Sequence, residues 1–258
     1  MKKIISYLFI VSILSTMLFS NTSKHNELVE EYLIVSGQDT MYTNLPTEIT
    51  QMVEQQFSAK GEKIPENVEN ILIEEFNRDS TVAKLTEEIN ALPIDTLKKL
   101  IIFYNSNLGK RLADINKNEG AQDVQEKLPT FAQTLQDNPP SKTRIKNMNI
   151  MFTETNVLTG TLKMIESVMR IYDVNTPKEK RMSEEKFNNL MTNMKMVLGQ
   201  QLIITYYYLL RDFSDEDVEK VVHSILSDEI QAETDAQITG LTAYFNTATE
   251  NVIKLLKK

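Results

Sequence analysis

The chain has 258 residues with 28 basic and 36 acidic side chains, which gives a formal net charge of −8 at pH 7. An acidic chain with no clustered basic stripe argues against a nucleic-acid partner, because contacts with phosphate groups dominate that affinity. The sequence contains no cysteine, which excludes disulfides and a lipid-modified N-terminal cysteine, so packing alone must stabilise the fold.

The N-terminus has the order of a secretory signal peptide. Lys2 and Lys3 precede an apolar run over 4–19, and small or polar residues follow it. The run is shorter than the roughly 20 residues that span a bilayer comfortably, which favours cleavage. Leu18 is larger than the cleavage rule prefers, so an uncleaved N-terminal membrane anchor is the alternative. We expect residues 1–20 to be removed as a signal peptide, leaving a periplasmic protein without stable membrane insertion.

Apolar residues recur at spacings of three and four almost throughout the chain, which is the period of an amphipathic helix. Clear examples are Val68, Ile71, Leu72 and Phe76; Val82, Leu85, Ile89 and Leu92; and Leu162, Ile165, Val168, Met169 and Tyr172. Only 7 glycines and 7 prolines interrupt the pattern, mostly where one helix should end and the next begin. The sequence therefore predicts an all-α helical bundle.

Capping signals predict where some helices begin. Ser214 can cap a helix, and the carboxylate of Asp217, three residues later, can accept a hydrogen bond from the backbone N–H of Ser214. Phe213 and Val218 stand at the two positions of a hydrophobic staple around that cap. Thr176, followed by a proline that suits the first helical position, predicts a second helix start.

Two later segments need separate interpretation. Residues 202–210, LIITYYYLL, have a β-branched and aromatic density that also suits a strand, but helical neighbours favour a buried helix.

The last helix is predicted from about Asp228 to the C-terminus. Its apolar seam consists of Ile238, Leu241, Phe245, Ala248, Val252 and Leu255. Such a seam needs a groove or a partner helix; we expect packing within the chain, with a homodimer through this helix as the alternative.

A weak internal repeat divides the chain. The segment PIDTLKKLIIFYNS, 93–106, aligns without a gap on SDEDVEKVVHSILS, 214–227. The alignment places Leu97, Leu100 and Ile101 on Val218, Val221 and Val222. The polar, proline-bearing stretch 136–143 is a plausible linker. The sequence therefore predicts two repeat-related halves, 26–137 and 142–258, and leaves open whether they pack as one body.

The stretch IIFYNSNLGKRL, 101–112, carries the most distinctive local pattern. An amphipathic helix ends in an aromatic pair and is followed by a polar turn, a glycine and a cation. The residues are Phe103, Tyr104, Ser106, Gly109 and Lys110. This pattern resembles the signature of a bacterial family of secreted helical domains, the domain of unknown function 2059 type. Residues 28–57, with Gly37 between two predicted helices, are similar to the opening of that family. The resemblance implies a helical fold and export, and it implies no reaction, cofactor or catalytic residue.

Two interpretations of this stretch stay open. In the first, the aromatic pair completes an apolar helix face, Ser106 caps the next helix and Gly109 allows a close backbone approach. In the second, Phe103, Tyr104, Ser106, Gly109 and Lys110 form a site for an anionic ligand. The aligned positions of the second half hold Ser224, Ile225 and Ile230, so only the first half would keep such a site.

Few reactive constellations are present in the sequence. His25 and His223 are the only histidines, and neither has a spaced partner for zinc, so we predict no metal site and no cofactor. The glycines are isolated, which excludes phosphate-binding loops. Methionine is concentrated before Gly199, where it can fill irregular cores, line an apolar groove or hold Cu(I).

These patterns favour an exported, non-enzymatic binding or structural module of the periplasm whose partner is unknown. One alternative is a periplasmic carrier of a small apolar ligand or of Cu(I). A further alternative is a hydrolase whose carboxylates meet only in the fold. If the chain binds a ligand, the expected place is between the halves, near 101–112 and the methionine-bearing helices.

Overall fold

The structure is a computed structural model, and it describes residues 24–41, 45–58, 61, 63–118, 121–175 and 181–256. Within those ranges the regular elements are helices and no strand occurs, which confirms the prediction of an all-α bundle. None of the described helices is both long and apolar enough to cross a bilayer.

The first eight helices precede the predicted linker and the last five follow it. The first set is α1 (24–36), α2 (Gln38–Met41), α3 (Leu45–Ser58), α4 (Glu66–Glu75), α5 (Arg78–Asn90), α6 (Ile94–Asn105), α7 (Asn107–Asn118) and α8 (Ala121–Asp137). The second set is α9 (Lys142–Glu154), α10 (Val157–Asn175), α11 (Glu184–Leu209), α12 (Asp215–Ile225) and α13 (Asp228–Leu256).

The predicted start of α12 is confirmed. The backbone N–H of Asp217 donates to Oγ of Ser214 at 3.1 Å, which satisfies one of the free donors of the first turn. Phe213 and Val218 are both buried in one core cluster, as a hydrophobic staple requires. The start predicted at Thr176 lies outside the described residues.

Residues 202–209 form the end of a 26-residue helix, α11, and Leu210 is its C-cap, so the helical interpretation of LIITYYYLL is confirmed. Tyr207 and Tyr208 are buried, because neighbouring helices α8 and α9 cover the end of α11. The β-branched and aromatic residues here supply packing area, and the tertiary contacts override their strand preference.

Helix α13 contacts α4, α5, α6, α10 and α12, so most of its seam is covered from within the chain, as expected, whereas Leu255 is exposed. Tyr244, Phe245, Ala248 and Val252 are buried on it. A Cβ on Gly240 would lie 3.3 Å from the carbonyl oxygen of Lys84. The small residue therefore allows α13 to approach α5 closely. The homodimer stays a prediction.

Three buried clusters form the interior. The first is built by α3, α4, α5, α10 and α13, and the second by α1, α5, α6, α7 and α13. The third joins α9, α11 and α12 to apolar side chains of α7 and α8. Each cluster thus draws on both 26–137 and 142–258, and the two predicted halves share their interior.

The aligned segments 93–106 and 214–227 have matching local surroundings. Their aligned apolar residues, Leu97, Leu100 and Ile101 and Val218, Val221 and Val222, are all buried. Ser227 Oγ accepts from the backbone N–H of Ile230 at 3.4 Å, at the position that corresponds to Ser106 in the first segment. A common origin of the halves stays a prediction, because this likeness is confined to one helix and its cap.

Candidate functional site

The stretch 101–112 forms the corner between α6 and α7. Ser106 separates the helices, and its Oγ accepts a hydrogen bond from the backbone N–H of Gly109 at 3.0 Å. A Cβ on Gly109 would lie 2.0 Å from the carbonyl oxygen of Phe103 and 2.6 Å from Cα of Tyr104. Only glycine permits this approach of the two helices. The cap and the close approach predicted by the packing interpretation are therefore confirmed.

The structure does not gather the five predicted ligand residues around one opening. Phe103 is half-buried against the second core and meets the Tyr104 ring edge-to-face at 5.2 Å between centroids. Tyr104 is 8% exposed and turns its hydroxyl inward. Ser106 and Lys110 are exposed, and Gly109 is buried at the corner. Anion binding by this group stays a prediction.

The Tyr104 hydroxyl leads to a buried polar cluster centred on Glu233. Its carboxylate oxygen Oε1 accepts from the Tyr32 hydroxyl at 2.5 Å and from the Tyr104 hydroxyl at 2.7 Å. Nε2 of Gln237 donates to the same oxygen at 3.2 Å and to the Tyr32 hydroxyl at 3.0 Å. The four residues, which we call the Glu233 cluster, join α1, α6 and α13.

Burial dominates the electrostatics of the Glu233 cluster. Glu233 is 2% exposed, and loss of hydration raises the pKa of its carboxyl group to about 7, against the lowering effect of the hydrogen bonds from Tyr32, Tyr104 and Gln237. Burial and the neighbouring carboxyl group raise the pKa values of both tyrosines well above the usual range. The cluster can therefore exchange one proton near neutral pH, but a substrate cannot reach Oε1 in this conformation.

Sequence reasoning missed Glu233, because its acidic neighbours on α13 make that stretch look solvated. A usable signal was present. Glu233, Ala236, Gly240 and Tyr244 follow the helical spacing and form one buried face. Small residues on a face that also carries one acid indicate close packing around that acid.

An open cleft of about 280 Å³ lies elsewhere, at the junction of the two predicted halves. The end of α8, the connection to α9, the start of α9 and the end of α11 form its walls. Its lining residues are Phe131, Thr134, Leu135, Asn138, Pro140, Arg144, Tyr207 and Arg211. Of these residues, two are cations and none is an acid, so the cleft combines apolar surface with positive charge.

Arg144 is fixed in the wall of the cleft. Its Nε donates to Oδ1 of Asp215 at 2.7 Å, Nη1 donates to the carbonyl oxygen of Leu210 at 3.2 Å, and Nη2 donates to the carbonyl oxygen of Phe213. The hydroxyl of Ser141 and the guanidinium of Arg144 hold the pKa of Asp215 below its usual value. These bonds fix the guanidinium group before any ligand arrives.

Arg111 holds the same corner, between α11 and α12, from the other side. Its guanidinium group stacks on the Phe213 ring at 3.8 Å from the centroid. It donates to Oδ2 of Asp217 at 2.6 Å and to the carbonyl oxygen of Asp212 at 3.1 Å. The bond from Arg111 is the main cause that lowers the pKa of Asp217. Arg111 on α7 and Arg144 on α9 thus clamp residues 210–217.

The methionines do not form one group. Met148 and Met151 are buried in the third core, whereas Met164 packs against the first. Met182 and Met196 are 40% and 63% exposed. Methionine as a filler of irregular cores accounts for the buried ones. Across the described ranges, no three His, Cys, Asp or Glu side chains are placed to hold a metal ion.

Together, the fold and the cleft define an all-α protein with an open, partly cationic cleft at the junction of its predicted halves. Comparison of the chain with protein-family models, with curated proteins and with solved structures gives no match.

Proposed function

We propose that the chain is an exported, non-enzymatic binding module of the bacterial periplasm whose ligand occupies the cleft between α8, α9 and α11. The cleft itself carries the proposal. It presents the mixture typical of ligand sites, with apolar and aromatic walls and a small number of fixed polar groups. The apolar walls include Phe131, Leu135 and Tyr207, and the fixed group is Arg144.

Export is supported by the order of the N-terminal residues and by the resemblance of 101–112 to the secreted domains of the unknown-function 2059 type. The test is to express the full chain in a bacterium, separate periplasm from membranes and measure the intact mass. A periplasmic protein that lacks residues 1–20 agrees with the proposal. A membrane-bound protein that retains those residues contradicts it and favours the anchor.

The hydrolase alternative draws little support from the carboxyl groups. Acid–base hydrolysis by two carboxylates needs both groups beside a substrate. Glu233, whose pKa is raised to about 7, is buried among two phenols and an amide rather than beside a second acid. Binding without catalysis therefore accounts better for the described site.

A carrier of a small apolar ligand is the form of binding module that the cleft favours, because its volume suits a small molecule and its walls are largely apolar. Native mass spectrometry of protein taken gently from the periplasm tests this role. A bound organic molecule that disappears on denaturation supports it. Protein that carries no small molecule, and that binds none in a solution screen, contradicts it. The Cu(I) alternative gains nothing from methionines divided between two cores.

A further inference from the structure

The ionisable residues that line the cleft are positive, whereas the net charge of the protein is negative. The chain carries a formal net charge of −8, yet the cleft is lined by Arg144 and Arg211 and by no described acid. The two cations attract an anion locally, whereas the negative net charge makes the rest of the surface unfavourable for it.

Arg144 has donors to offer. A guanidinium group has five N–H donors in a fixed fork, and three of them are bonded to Asp215, Leu210 and Phe213. One N–H on each Nη atom is left over. The side chain is 14% exposed, so these two donors are held in place and are only partly hydrated. A ligand that accepts from them loses little conformational freedom of the protein.

Arg211 is the second cation of the cleft, and it matters because Asp215 partly compensates the positive charge of Arg144. Its guanidinium group stacks on Tyr208 at 4.0 Å from the ring centroid, and Nη1 donates to the carbonyl oxygen of Tyr208 at 2.9 Å. Its carboxylate neighbour, Asp212, lies 3.6 Å away and is 83% exposed, so solvent weakens that pair. Arg211 therefore adds a second cation to the lining of the cleft, beside Arg144.

The rest of the cleft is shaped for an apolar body. Phe131, Leu135, Pro140 and Tyr207 line the same cleft as the cations and supply its hydrocarbon surface. The volume of about 280 Å³ is just below the roughly 300–1,000 Å³ typical of small-molecule pockets. A phenyl ring or a short alkyl chain with one charged end is of a size that suits this volume.

We propose that the cleft binds a small apolar carboxylate, with its acid group at Arg211 and Arg144 and its hydrocarbon body against Phe131, Leu135 and Tyr207. This inference rests on the proposed binding function and specifies the chemical class of the ligand. A carboxylate matches the planar fork of a guanidinium group and forms the stronger, charge-assisted kind of hydrogen bond.

Three probes separate the two parts of such a ligand. 4-Phenylbutyrate has the acid and the ring, 4-phenylbutanol has the ring alone, and acetate has the acid alone. Titration of the purified protein by calorimetry is expected to show phenylbutyrate binding at least about tenfold more tightly than either of the others, since a charge-assisted bond is lost in one case and apolar burial in the other.

Variants assign the binding to the cleft. Arg211→Met should reduce the affinity for phenylbutyrate about tenfold, to the level of phenylbutanol, and leave phenylbutanol unchanged. Thr134→Trp adds bulk at an exposed position of the lining and should weaken both phenyl probes. Arg170→Met is the matched control, because Arg170 also faces an aromatic ring, at 5.6 Å from Phe187, but does not line the cleft. Circular dichroism confirms that each variant folds.

The outcomes distinguish this inference from the proposed function. If phenylbutanol binds as tightly as phenylbutyrate, or if Arg211→Met loses no affinity for the acid, the carboxylate is overturned and the binding module stands. If both phenyl probes bind equally well to wild type and to Thr134→Trp, the cleft is overturned as the site. If neither phenyl probe binds, the inference is overturned, and the bound-ligand measurement on periplasmic protein then decides the binding function separately.

Discussion

The hydroxyl of Tyr32 lies 2.5 Å from Oε1 of Glu233, although 201 positions separate the two residues in the chain. The bond joins α1, the first described helix, to α13, the last. Tyr104 on α6 donates to the same oxygen at 2.7 Å, so one buried carboxyl group links three helices. The protonation of that group should therefore affect the stability of the whole bundle.

The first prediction concerns pH. Burial raises the pKa of Glu233 from 4.5 to about 7, so the folded protein keeps a proton that the unfolded chain releases. The contribution of the protonated Glu233 carboxyl group to the free energy of unfolding is complete below pH 4.5 and is lost as the pH rises to about 7. The free energy of unfolding should fall by about 3 kcal/mol over this range. Urea unfolding at several pH values measures it.

Glu233→Gln should flatten this dependence, because glutamine has the same shape and does not ionise. Glu229→Gln is the control, because Glu229 lies one turn away on the same helix. Its pKa is lowered mainly by a hydrogen bond from Lys99, so Glu229 affects the pH dependence of unfolding only below pH 4.5. A slope between pH 4.5 and 7 that survives Glu233→Gln would contradict the assignment.

The second prediction concerns the phenol donors. Tyr104→Phe removes one hydrogen bond to the buried Oε1 of Glu233 and should destabilise the fold by about 1–3 kcal/mol. That bond lowers the pKa of Glu233, so its loss should move the upper limit of the pH dependence above 7. Unfolding curves of the variant over pH 5–9 measure both effects. An unchanged upper pH limit would show that the hydrogen bond from Tyr104 does not lower the pKa of Glu233.

The third prediction concerns the corner between α6 and α7. Gly109→Ala would place a Cβ 2.0 Å from the carbonyl oxygen of Phe103, so the helices must separate, and we expect a loss of about 3 kcal/mol or more. Gly199→Ala is the control, since its Cβ would lie 3.3 Å from the ring of Phe152 and 3.9 Å from the side chain of Leu158, and alanine favours a helix. Thermal unfolding compares the two. Equal midpoints would contradict the close approach.

The fourth prediction concerns the clamp on residues 210–217. Arg144→Met keeps the apolar stem but removes an ion pair and two bonds to carbonyl groups, which should cost about 2–4 kcal/mol. Hydrogen exchange should also speed up in the first turn of α12. Lys220→Met, which removes an exposed pair with Glu216, should leave the midpoint unchanged. If both variants behave alike, the clamp has no structural role.

The helices and their ends could be predicted because local sequence decides them. The spacing of Leu97, Leu100 and Ile101 predicts a buried face, and all three are buried. Ser214 caps α12 because its neighbours within four residues supply the donor. Such signals need no knowledge of the rest of the fold.

The candidate sites could not be predicted because distant segments build them. Arg144 and Arg211 become neighbours at the cleft only when α9 and α11 pack together. The pattern of 101–112 predicts Tyr104 as a ligand residue, but the partner of its hydroxyl group is Glu233 on α13, 129 positions away. Sequence patterns indicate which face of a helix is apolar, and they do not indicate which helix covers it.

Helix α13 follows every other described helix in the chain, yet it forms a wall of the first core and part of the second. Neither interior can close while this helix is still being synthesised. The nascent chain would therefore stay open to chaperones or to a translocation channel until α13 has been synthesised, and a premature stop before α13 would leave the first two cores open to proteases.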